Sequence, residues 1–206
     1  MSEIIPNEVK QEPMDTELEL EKLDLDPDGD IILVIEGQNA KKFLVSSKIL
    51  SLASPVFSKM LGPNFHEGMQ MTDSNCLMIS LHDDDPLAME TMLKIFHYKG
   101  PNLGGPMTAE RLAVLAIHCD KYDCFQALKS WIHIWFSNFG FNLTAEGYGF
   151  LMLAAHVSRG PNQFSKWSKM VQIKFSPSSL AKWEGLDMLG FLPDDLRGKG
   201  PSIQFP

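Results

Sequence analysis

The densest run of reactive side chains is His118-Cys119-Asp120-Lys121-Tyr122-Asp123-Cys124. A histidine, two thiols and two carboxylates within seven positions are the donor types of a zinc site, and a thiol beside a base is the material of a nucleophilic centre. Both chemistries also make demands on spacing. Zinc is usually gripped by paired C-x2-C or H-x3-H elements, whereas these cysteines are four residues apart and His133 is the candidate fourth ligand. If residues 112–119 are helical, His118 and Cys119 project about 100° apart and do not converge on one ion. A catalytic thiol needs a lowered pKa, and a cysteine packed among apolar residues has a raised one. Cys119 falls on such an apolar stripe, while Cys124 is expected to be the more accessible of the two. The spacing favours a joint between two helices. No catalytic residue, metal ligand or cofactor is expected, and a metal- or thiol-dependent hydrolase is the remote alternative.

Two further clusters carry chemistry. Asp83-Asp84-Asp85 could hold Mg²⁺, but the chain has no G-x4-GK[ST] or G-x-G-x-x-G loop to grip a phosphate. Directly before Pro86 the same acids complement the start of a helix, with Asp85 as its cap. Val9-Lys10-Gln11-Glu12 fits the Ψ-K-x-E pattern of SUMO attachment, which makes Lys10 a candidate acceptor and implies nuclear exposure.

The charge is unevenly distributed. Residues 1–30 contain eleven acids and two lysines, a net of −9, so the remaining residues carry +1 of the total of −8. Residues 1–26 read as an acidic, disordered arm. The alternating pairs Leu18/Leu20 and Leu23/Leu25 permit an edge strand there, but a disordered tail is the favoured reading. No basic patch speaks for nucleic acid. No apolar run approaches the ~18 residues of a membrane span. Three cysteines and no apolar leader fit reduced thiols in an intracellular protein of the nucleus or cytoplasm, which leaves the Asn142-Leu143-Thr144 sequon idle.

The elements that must position these residues follow from pattern. Asp26-Pro27-Asp28-Gly29 is a turn signature. Ile31–Ile35 reads as a buried strand, and Lys42–Val45 as its hairpin partner. A short helix spans Ser46–Ser51, and Ser54-Pro55 starts a second with cap and N1 proline. Leu77, Ile79 and Leu81 alternate as a third strand. Met89, Met92, Leu93 and Phe96, and then Leu112, Leu115, Ala116 and Cys119, mark helical faces. After the joint, Phe125, Leu128, Ile132 and Trp135 mark another, which Asp123 is expected to help start. Phe150–Val157, Phe164–Phe175 and Leu180–Leu189 read as further helices, and Leu192-Pro193 opens an exposed tail.

This order describes a mixed α+β domain. Gly29–Val34, Phe43–Leu50, Ser54–Phe57, Phe65-His66-Glu67, Asp84-Asp85-Pro86, His97-Tyr98 and Cys119–Asp123 together resemble a BTB/POZ domain over residues 27–137. Val45-Ser46-Ser47-Lys48 is similar to the branch found in filamentous fungi, since many animal members carry histidine where this chain has Ser46. Residues 138–206 resemble no accessory domain and read as a helical extension. The resemblance implies a small three-stranded sheet capped by helical hairpins and a non-enzymatic protein–protein interaction module. It implies homodimerisation near residues 27–60, where Ile31, Leu33, Leu52 and Phe57 are the candidate interface residues. It also offers an alternative, a substrate adaptor of a cullin-type E3 ubiquitin ligase. There Phe65 would fill a pocket on the cullin and Glu67 would accept a charged hydrogen bond.

Overall fold

Five branched or apolar residues in succession, Ile31–Ile35, form strand β2 at the middle of the sheet. A strand with a neighbour on each side and cover on both faces reads as a continuous apolar run rather than an alternation. The computed structural model describes residues 20–37, 39–65, 76–101 and 105–193. β2 pairs antiparallel with β3 (Lys41–Val45) and parallel with β4 (Leu77–Leu81). β4 alternates as expected, with Leu77, Ile79 and Leu81 buried and Met78 and Ser80 exposed. Gly29 closes the turn into β2, where an added Cβ would sit 2.8 Å from the Val45 carbonyl oxygen.

A fourth strand corrects the reading of residues 20–26 as part of the arm. β1 (Lys22–Asp24) pairs in parallel with β3, so the sheet order is β1-β3-β2-β4. Leu25 follows it into the core, and its N–H donates to the Leu44 carbonyl at 2.9 Å.

The helices begin where the caps predict. α1 (Ser47–Ala53) is capped by Ser46, and α2 (Pro55–Met60) by Ser54 with proline at its first position. α3 (Pro86–Phe96) is capped by Asp85, which accepts the Ala88 N–H at 2.7 Å. α4 (Ala109–Lys121) is capped by Thr108, and α5 (Phe125–Asn138) follows the joint. Glu90 of α3 bridges Lys41 of β3 and Lys94 of its own helix, fixing α3 against the sheet. Burial raises the Glu90 carboxyl, the two ammonium groups outweigh burial, and its pKa ends below the ordinary value.

The extension shares the core. α6 (Ala145–Val157) is apolar around its circumference, with Tyr148–Ala155 all buried, as suits a helix enclosed on every side. It packs between α4 and α7 (Pro161–Lys174). A short α8 (Pro177–Leu180) and two 3-10 turns, Ala181–Gly185 and Asp187–Phe191, close over α6. They pass Gly149 so closely that an added Cβ would meet Leu189 Cδ1 at 2.8 Å and Trp183 Cε2 at 3.0 Å. The Trp183 indole N–H donates to the Ala145 carbonyl at 3.0 Å. One apolar cluster therefore runs from Leu25 to Leu192. Leu192, expected at the start of an exposed tail, is 1% exposed.

Candidate functional site

The histidine–cysteine run is a joint, built in three parts. α4 ends at Lys121, the chain turns through Tyr122 and Asp123, and α5 begins at Phe125 with Cys124 as a cap whose side chain accepts no helix N–H. Asp123 does not start α5 as expected. Its left-handed φ of 48° makes it the turn residue, a conformation that aspartate tolerates better than most. Cys124 is as fully buried as Cys119, which corrects its expected accessibility. The Cys124 side chain and burial together hold the Cys119 thiol well above its ordinary pKa, opposite to what a nucleophile needs.

Asp84 is the centre of the joint, with its side chain 1% exposed. One carboxylate oxygen accepts from Lys121 Nζ at 2.9 Å, and the other from the Tyr122 hydroxyl at 2.7 Å. Tyr122 also stacks on Phe57 of α2 with ring centroids 4.6 Å apart, and its carbonyl accepts from the Ser54 hydroxyl at 2.5 Å. Burial, then the bond to Asp84, push the Tyr122 phenol up. The joint thus ties together the end of β4, the start of α2 and the α4–α5 turn.

His118 has no free ring nitrogen for a metal. Its Nε2 lies 2.9 Å from the Asp85 backbone N–H, which can only donate, so Nε2 accepts and bears no proton. Its Nδ1 faces the Val114 carbonyl at 2.8 Å and so carries the hydrogen. The 3.5 Å approach of Nε2 to Asp84 is therefore not an ion pair. His97, at the end of α3, is held in the same way: Nε2 accepts the Ser46 N–H at 3.1 Å and Nδ1 donates to the Leu93 carbonyl at 2.8 Å. Each histidine accepts from the cap residue of another helix, so α4 fixes α3 and α3 fixes α1. Among the described residues, no three His, Cys, Asp or Glu side chains gather as a metal site. No helix of the described residues is long and apolar enough to cross a membrane.

The candidate partner-binding residues separate into two groups. Ile31, Leu33 and Phe57 are 0% exposed and lie inside the chain's own core. They cannot also present a surface, and this corrects their assignment to an interface. Leu52, on the outer side of α1, is 75% exposed. Phe65 lies just past α2 with half of its surface in solvent. Glu67 and Lys10 fall outside the described residues.

A four-stranded sheet with helical hairpins around it defines a domain of the α+β class. The family model described as BTB/POZ domain matches residues 25–130, and the chain belongs to that family. No curated protein matches it.

Proposed function

We propose that this interaction module associates with a second copy of itself through the outer face of α1. The observation that carries this reading is Leu52, an aliphatic side chain left 75% exposed on a helix whose Leu50 is fully buried. Ile49, one turn earlier on α1, is only partly buried, so the two form an apolar stripe on that face. Burying such a stripe contributes about 25 cal/mol per Å² of apolar surface removed from water. Light scattering at tens of micromolar should give twice the 23.1 kDa mass of one chain. Leu52→Asp should return the monomer with an unchanged circular dichroism spectrum. A wild-type monomer at that concentration removes the reading.

Phe65 supports a second reading, the cullin-ligase adaptor. A phenylalanine that merely sealed the core edge would be covered, and this one is 50% exposed. Phe65→Ala should abolish co-purification of a cullin while leaving the fold intact. A wild-type chain that captures no cullin from cells sinks the adaptor role.

A further inference from the structure

We propose that the groove between α5 and the α6–α7 turn docks the acidic N-terminal segment of the same chain, residues 1–19. The groove encloses about 570 Å³ and is lined by Lys129 and His133 of α5, Arg159 of the turn and Gln163 of α7, with Phe125 and Phe136 supplying apolar wall. Among the described residues, no acidic side chain lines it. Lys129, His133 and Arg159 form no ion pair among the described residues.

The starts of α5 and α7 favour an anionic occupant. α1, α2, α3, α4 and α6 each begin with a side-chain cap, whereas α5 and α7 begin without one and without an acid in the first turn. Both uncapped ends border this groove, through Phe125 and Gln126 of α5 and Gly160 and Gln163 of α7. Unpaired N–H groups and the positive ends of two helix dipoles add to the cationic side chains. Arg159 holds a left-handed φ of 53° in the turn from α6 into α7 that borders the groove.

Charge and reach identify the occupant. Residues 1–19 carry six acids and one lysine, a net of −5, whereas residues 125–174 carry five basic residues and one acid, a net of +4. Nineteen residues extend up to about 60 Å at roughly 3.3 Å each. That exceeds any distance across a domain whose radius of gyration is about 17 Å for this length.

Zero-length carbodiimide cross-linking of the full chain, read by peptide mass spectrometry, tests the proposal. Amide links between arm carboxylates and Lys129 are expected. They should fall several-fold in Arg159→Glu, and also in 1 M salt, where the screening length is about 3 Å. The Glu21–Lys41 pair, 3.4 Å apart, is the internal control. If that link forms and no Lys129 link does, the groove does not hold the arm. An unchanged Lys129 yield in Arg159→Glu overturns the proposal too. So do links found only between isotopically distinct copies, which would assign the groove to a second chain.

Discussion

The Tyr122 hydroxyl donates to the Asp84 carboxylate at 2.7 Å in the interior of the fold, from a ring that is itself stacked on Phe57. Removing the hydroxyl leaves a buried carboxylate short of one donor, at a cost of about 1–3 kcal/mol. Tyr122→Phe keeps the stack and isolates that term. Urea unfolding should show a lowered midpoint with an unchanged slope. A loss no larger than that of an exposed control, such as Tyr98→Phe, contradicts a central role for the bond; Tyr98 is 94% exposed.

His97 gives the fold a dependence on acid. Burial, the largest influence, lowers its pKa below the ordinary 6.5, and the Leu93 carbonyl and Asp26 offset this only in part. An unfolded chain therefore takes up this proton at a higher pH than the native one. The stability associated with His97 is complete above about pH 6.5 and is lost as pH falls from there through the lower native value. Unfolding free energies at pH 7.5 and 5.5 should differ more in the wild type than in His97→Gln, which accepts a hydrogen bond without titrating. Equal differences in the two proteins would assign the acid sensitivity to other groups.

Much of the frame was legible because its signals are local. Ser54-Pro55, Asp85-Pro86 and Thr108 each start a helix as expected, since a cap acts on N–H groups two or three residues away. The strand at Lys22–Asp24 was not legible, because its partner is β3, some twenty residues on, and alternating leucines cannot reveal a parallel neighbour. Asp123 looked like a cap by residue type, but its φ of 48° makes it the turn. Ile31, Leu33 and Phe57 were assigned to an interface because core and interface draw on the same side chains, and only tertiary packing separates them from Leu52. The basic groove was hidden for a related reason. Lys129 and His133 are a turn apart on one helix, but Arg159 reaches them only through the α6–α7 turn.

Gly149 is where the C-terminal segment meets the rest of the fold. A side chain there would press on Leu189 and on the Trp183 ring, both buried, so neither can move into solvent without opening the contact. Gly149→Val should cost about 1–3 kcal/mol by overpacking. It should also increase proteolytic cleavage within residues 175–193 under native conditions, together with a red shift in tryptophan emission as Trp183 is exposed. A variant with wild-type protease resistance would mean that the 3-10 segment accommodates the methyl groups and that its close passage over α6 is not needed for docking.

The thiols provide the most direct check on the joint. Cys76 is exposed, whereas Cys119 and Cys124 are buried, and Cys119 is held well above its ordinary pKa by Cys124 and by burial. Reaction requires the thiolate and a path to it; burial closes the path to both, and the raised pKa withholds the thiolate at Cys119. A disulfide-exchange reagent at neutral pH should titrate one thiol rapidly in the native protein and all three in denaturant. Cys76→Ser should remove the fast phase. The two slow thiols should then react at a rate set by opening of the α4–α5 joint, and Tyr122→Phe should speed that rate by loosening Asp84. Rapid modification of Cys119 in the folded chain would instead restore the nucleophilic reading of His118–Cys124.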